Sequence, residues 1–129
     1  MRKITALIIF TAIVLTGCVQ TNEPGEQDYY ISIDVESGFL NDAVKLTLDN
    51  STLLNSMVST DYTINLAWSS GLINLSGDGH ILNFTVPGYT LQEDYTIESS
   101  YDTSTVIIEL DKDSYRVNIS QSEGLISRD

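Results

Sequence analysis

Cysteine is nearly absent from this 129-residue chain: there is one, Cys18. A single cysteine excludes an internal disulfide and every Cys-based zinc site, so the fold must be held by its apolar core. Histidine is as scarce, with His80 alone, which removes the multi-histidine metal centres. Proline occurs twice. Basic residues number 6 against 18 acidic ones, a net charge of −12, and this excludes nucleic-acid binding through a basic patch. No apolar run reaches the ~20 residues that a membrane-spanning helix needs. After residue 20 no stretch of ten residues or more repeats apolar positions at helical spacing.

What is present begins with a short apolar run. Arg2 and Lys3 are followed by Ile4–Leu15, apolar except for Thr5 and Thr11. That length suits the apolar region of an export signal and is too short to span a bilayer. The run closes on Leu15-Thr16-Gly17-Cys18, and the chain then turns polar from Gln20 to Gln27, with Pro24-Gly25 breaking regular structure.

Leu15-Thr16-Gly17-Cys18 resembles the lipobox of prokaryotic lipoproteins. The resemblance covers four residues, and their position behind a basic start and an apolar run is what makes it specific. It implies that the Cys18 thiol receives a diacylglyceryl group and that cleavage before Cys18 makes it the mature N-terminus, a palmitate-bearing anchor. Two acyl chains give durable attachment where one is marginal. The expected organisation is a signal peptide over 1–17, a lipidated cysteine and polar tether over 18–28, a domain over 29–120 and a flexible tail over 121–129. Removing the 17 residues ahead of Cys18 leaves 112, and losing Arg2 and Lys3 leaves 4 basic against 18 acidic residues, a net of −14. An anchored, extracytoplasmic protein follows, with the membrane as one partner and an envelope protein or glycan as the other.

The domain reads as β-structure. Tyr29, Ile31, Ile33 and Val35 alternate with Ser32, Asp34 and Glu36, which is the period of a half-buried strand. Val44–Asp49 repeats the pattern. Leu53, Leu54, Met57 and Val58 are spaced as a short helical turn. Tyr62, Ile64, Leu66 and Trp68 predict a strong strand closed by Ser69-Ser70-Gly71, with a short one after it over Leu72–Leu75. Leu82, Phe84 and Val86 predict another, stopped at Pro87-Gly88. Tyr95–Tyr101 is β-prone, and Thr105–Leu110 and Tyr115–Ser120 flank a charged hairpin tip. From Gln121 onward the pattern stops, which predicts a frayed end. Seven to eight short strands separated by Gly, Asp, Asn and Ser clusters predict an all-β sandwich of antiparallel strands.

Trp68-Ser69, Gly77-Asp78-Gly79, Leu82-Asn83-Phe84-Thr85 and Pro87 together resemble prokaryotic immunoglobulin-like modules, including those of the PKD type. The likeness spans Trp68–Pro87 and implies an immunoglobulin-like β-sandwich with an aromatic on a central strand between the sheets. Gly88–Gln92 is an insertion against that pattern. Such modules are spacers or binding domains, so the resemblance informs fold more than activity.

Chemistry-bearing residues are scattered. No nucleophile-elbow pattern surrounds any serine near His80. Glu109, Asp111 and Asp113 cluster at the hairpin tip, and Asp111 and Asp113 are the candidate calcium ligands, although the loop lacks an EF-hand's glycine and distal glutamate. Asn-x-Ser/Thr occurs at Asn50, Asn74, Asn83 and Asn118, where composition predicts about two such sites. All four are candidate glycosylation sites, with Asn83 and Asn118 on outward strand phases. Tyr89, in the insertion, is the expected partner contact. A non-catalytic binding or structural role at the cell envelope is expected, with no cofactor. The alternatives are an inhibitor or accessory subunit of an exported enzyme or transporter, and a calcium- or glycan-binding module.

Overall fold

A computed structural model describes residues 27–128; the lipobox and its cysteine lie outside the described residues. The elements run β1 (Asp28–Val35), β2 (Asp42–Leu48), β3 (Ser51–Val58), β4 (Trp68–Ser76), β5 (Ile81–Val86), a 3₁₀ turn (Pro87–Tyr89), β6 (Leu91–Thr96), β7 (Thr103–Asp111) and β8 (Arg116–Glu123). They form two four-stranded sheets. Sheet A has the order β4-β1-β7-β8, and sheet B has β3-β2-β5-β6. This is the expected all-β sandwich. One pair departs from the antiparallel expectation: β1 runs parallel to β7, from Tyr30 opposite Thr103 to Val35 opposite Ile108.

Period-two alternation builds the core. Ile31, Ile33 and Val35 of β1 and Val106 and Ile108 of β7 are fully buried, and they meet Leu46, Leu82 and Phe84 from sheet B. Each such burial contributes about 1.5–3 kcal/mol. Phe39, just past β1, meets Phe84 edge to face at 5.9 Å. Gly38 makes that loop fit. Its φ is +100°, and a Cβ there would stand 1.8 Å from the Leu110 carbonyl oxygen. The Gly77-Asp78-Gly79 turn also uses positive φ at both glycines, as the sequence implies.

Several expectations are corrected. Residues 51–58 form strand β3 instead of a helical turn. Leu54 and Val58, the two buried residues, are four apart, and that spacing shares a face in a strand as well as in a helix. A register shift against β2 between Leu46 and Thr47 makes Leu53 the extra residue, which blurs the alternation. Tyr62–Leu66 is a turn instead of a strand. The Asp61 carboxylate accepts the Thr63 N–H at 2.9 Å, Asn65 has φ +55°, and Asp61 bridges Leu66. Trp68 opens β4, an edge strand, and is half-buried against the core instead of filling a central strand. Ser69-Ser70-Gly71 lies inside β4 and does not end it. Strand β6 starts at Leu91, ahead of the expected Tyr95. Strand β8 continues to Glu123, and beyond it Gly124 donates its N–H to the Thr103 carbonyl at 2.8 Å, so residues 121–124 are paired instead of frayed.

The outward phase of β1 differs as well. Asp34 and Glu36, expected in solvent, are 5% and 6% exposed, because the chain beyond β8 folds over them and sets Arg128 on both carboxylates.

Candidate binding site at one end of the sandwich

Four connections gather at one end: the β1–β2 loop, the β3–β4 loop, the 3₁₀ turn after β5 and the β7–β8 tip. Phe39 N–H donates to Thr60 Oγ1 at 3.1 Å, and Thr60 Oγ1 donates on to the Glu36 carbonyl at 2.6 Å, which fixes the first loop on the second. Gly38 N–H donates to the Tyr62 hydroxyl at 3.1 Å, holding that ring over the end. Between the loops lies an open cleft of about 690 Å³, lined among others by Leu40, Tyr62, Glu109, Asp113 and Asn118. Leu40 is 72% exposed, Tyr62 68% and Tyr115 66%. Leu40 and Tyr62 line the cleft and Tyr115 stands at the adjoining β7–β8 tip, so three large side chains are left in water at this end.

Tyr89, the expected contact residue, is at this end but stands behind the surface. It is half-buried, with its ring 6.1 Å from that of Tyr115. Lys112 Nζ lies 5.6 Å above the Tyr89 ring centroid and 2.9 Å from Asp42 Oδ2. The Asp42 bond, with Tyr89 beside it, raises the Lys112 pKa above its ordinary value. Tyr89 thus packs beside Tyr115 and Lys112, while Leu40, Tyr62 and Tyr115 are the more exposed side chains at this end.

Asp111 and Asp113 sit at the β7–β8 tip. Asp111 Oδ1 accepts the N–H groups of Asp113 at 3.0 Å and Ser114 at 3.2 Å, closing its own turn. Ser114, by side chain and backbone, holds the Asp111 carboxyl below its usual range. Among the described residues no three His, Cys, Asp or Glu side chains gather as a metal site.

His80 is at the opposite end and is more constrained than a turn histidine in solvent. Nδ1 lies 2.5 Å from Asp49 Oδ2 and Nε2 lies 2.7 Å from the Ser76 carbonyl oxygen. The Asp49 carboxylate first, and the Ser76 carbonyl second, raise its pKa. The two bonds join the end of β4 to the residue after β2 through one ring.

The four sequon asparagines scatter. Asn50 is exposed in the β2–β3 turn at φ +68°, Asn74 and Asn118 are exposed on sheet A, and Asn118 lines the end cleft. Asn83 is half-buried on the outer face of sheet B, where its Nδ2 donates to Asp94 Oδ1 at 2.5 Å. That face carries a second open groove of about 670 Å³, lined by polar side chains that include Lys45, Thr47, Asn83, Gln92 and Asp94.

The residues missed from the sequence are Leu40, Tyr62 and Tyr115. Alternation assigned Tyr62 to a buried strand face. The signal that would have corrected it is Asp61 two residues before Thr63, an Asx-turn spacing.

No family model matches this chain, and no curated protein matches it. Among solved structures it is similar to a putative cell adhesion protein of Bacteroides fragilis, at 9% identity and a TM-score of 0.35, over 99% of this chain and 52% of that one. This chain thus spans about half the length of that structure. Among the described residues no helix is long and apolar enough to cross a membrane.

Proposed function

We propose that the chain is a lipid-anchored, extracytoplasmic β-sandwich of the immunoglobulin-like kind with a non-catalytic binding role at the prokaryotic cell envelope. Cys18 is the anchor, the polar segment after it is the tether, and the end cleft is the contact surface. The observation that carries the binding role is that Leu40 and Tyr62, both largely exposed, line a 690 Å³ cleft, with Tyr115 exposed at the adjoining β7–β8 tip. Exposed tyrosines give large contact area with few rotatable bonds, which lowers the ordering cost of association. Anchoring confines the domain to a layer beside the membrane and raises its effective concentration toward partners there.

The test is binding of the purified protein to isolated cell envelope from the producing organism. Leu40→Ser with Tyr62→Ser is expected to reduce retention by roughly tenfold or more, the scale of losing contact residues worth over 1 kcal/mol each. Met57→Ser, at an exposed site on sheet B, serves as the control and retains binding. Equal retention by all three would overturn the cleft as the contact surface.

A second reading rests on sheet B. Its uncovered outer face presents Thr47, Asn83, Thr85, Gln92 and Asp94 as a continuous hydrogen-bonding surface, which suits a glycan more than an apolar partner. Retention abolished by Gln92→Ala with Thr47→Ala, but not by the cleft changes, would favour it.

A further inference from the structure

The end cleft leaves one feature of the molecule unused. Beyond β8 the chain crosses the outer face of sheet A as a strap, residues 124–128. Gly124 is pinned at both backbone groups: its N–H donates to the Thr103 carbonyl at 2.8 Å, and its carbonyl accepts Thr105 Oγ1 at 2.8 Å. Leu125 and Ile126 are 54% and 39% exposed, so the middle of the strap buries little apolar surface. The far anchor is Arg128.

Four acceptors converge on the Arg128 guanidinium. Nη2 donates to Asp34 Oδ2 at 2.7 Å and to Glu36 Oε2. Nη1 donates to the carbonyl oxygens of Ile64 and Asn65, each at 3.2 Å. The fold prepares these acceptors. Asp34 Oδ1 is held by the hydroxyls of Ser32 at 2.9 Å and Ser69 at 2.8 Å, which leaves Oδ2 for the guanidinium. Asn65 Nδ2 stands 3.5 Å from Glu36 Oε1, on the side away from the arginine. The Asp61–Leu66 turn aims the two carbonyls inward while it presents Tyr62 to the cleft. The Asp34 and Glu36 side chains are only 7% and 8% exposed. With the arginine removed, two neighbouring carboxylates beside two carbonyl oxygens would be left without a counter-charge, an arrangement that a cation relieves.

We infer that Asp34, Glu36 and the Ile64 and Asn65 carbonyls form a guanidinium-binding socket for an arginine carried on an extended peptide, held closed in the isolated chain by Arg128. The requirement is for arginine and not for any cation. A planar fork of donors reaches two carboxylates on one side and two carbonyls on the other, whereas a lysine ammonium offers three donors from a single point. A peptide in trans competes with the strap, whose effective concentration is on the order of millimolar. The socket therefore opens to a partner only when the strap lifts, and lifting it breaks the arginine contacts without exposing a large apolar surface.

The test uses the full chain carrying Arg128→Ala and two labelled peptides. One has this chain's own sequence over residues 122–129, and the other holds a single arginine among glycines and serines. Anisotropy titration is expected to give saturable binding to Arg128→Ala, with the unchanged chain at least roughly tenfold weaker because its socket is filled. Replacing the peptide arginine by lysine is expected to weaken binding by about tenfold or more. Adding Asp34→Asn with Glu36→Gln is expected to abolish it. Equal binding of the two arginine peptides assigns the socket to any arginine-bearing segment, and tighter binding of the chain's own sequence assigns it to a second copy of this chain. Should Arg128→Ala fail to give a cooperative melt, Arg128→Lys carries the same titration. A folded variant that binds neither peptide, or that binds the lysine peptide equally well, overturns the socket.

Discussion

His80 Nδ1 lies 2.5 Å from Asp49 Oδ2, and the same ring's Nε2 lies 2.7 Å from the Ser76 carbonyl oxygen. Both ring nitrogens face acceptors, so the geometry is complete only when both carry protons. Asp49 follows β2 in sheet B and Ser76 ends β4 in sheet A, so a protonated His80 clasps the two sheets together. Asp49 Oδ1 meanwhile accepts the Ile81 N–H at 2.9 Å, which sets the start of β5.

The clasp predicts a pH dependence. The folded pKa of His80 is raised above 6.5, chiefly by Asp49, so its contribution is complete below about that pH and is lost as pH rises through the folded value. The Asp49 pKa is lowered below 3.8, chiefly by His80, so its contribution is present above that pH and fades as pH falls through the folded value. The two overlap between about pH 4 and pH 6.5. The Asp49 side chain is 46% exposed, so solvent screening limits the pair to about 0.5–1 kcal/mol. Thermal melts of the unchanged chain and His80→Gln should therefore differ at pH 5.5 and converge by pH 9.

Gly38 predicts a large and local loss. Its φ of +100° and the Leu110 carbonyl oxygen 1.8 Å from a built Cβ leave no room for any side chain. Gly38→Ala is expected to destabilise the domain by at least about 3 kcal/mol in urea melts. Gly71→Ala provides the contrast. It has φ +69° but nothing within 4 Å, and it should cost only about 1–2 kcal/mol.

The sandwich was legible where alternation was strict and both neighbours were paired. β1 and β5 carry their buried apolar residues in the phase that the sequence predicts. It was misread where a strand carries a bulge, as at Leu53, or where a polar side chain closes a turn inside an alternating run, as Asp61 does. The end cleft was legible only in part. Tyr89 lies at the same end as the cleft, but its surroundings depend on Lys112 and Tyr115, which approach from a hairpin more than twenty residues away. Arg128 was invisible because its partners, Asp34 and Glu36, alternate outward as any solvated pair would, and only the crossing strap buries them.

The sequons predict unequal use. At Asn83 the amide nitrogen that would carry a glycan donates to Asp94 at 2.5 Å and lies half-buried. Asn50, Asn74 and Asn118 are exposed. In any host that adds N-linked glycans, glycopeptide mapping should find Asn83 the least occupied of the four. A glycan on Asn118 would stand in the end cleft, so its removal by Asn118→Gln should raise binding to isolated envelope.

Cys18 decides between a surface-held domain and a free one. The direct measurement is metabolic labelling with palmitate of cells that produce the full chain, followed by separation of membrane and soluble fractions. The unchanged chain is expected to carry the label, to lose the 17 residues ahead of Cys18 and to remain with the membrane. Cys18→Ala is expected to carry no label. A chain that stays unlabelled with Cys18 intact, or a Cys18→Ala chain that is labelled and membrane-bound to the same extent, would contradict the anchored binding domain.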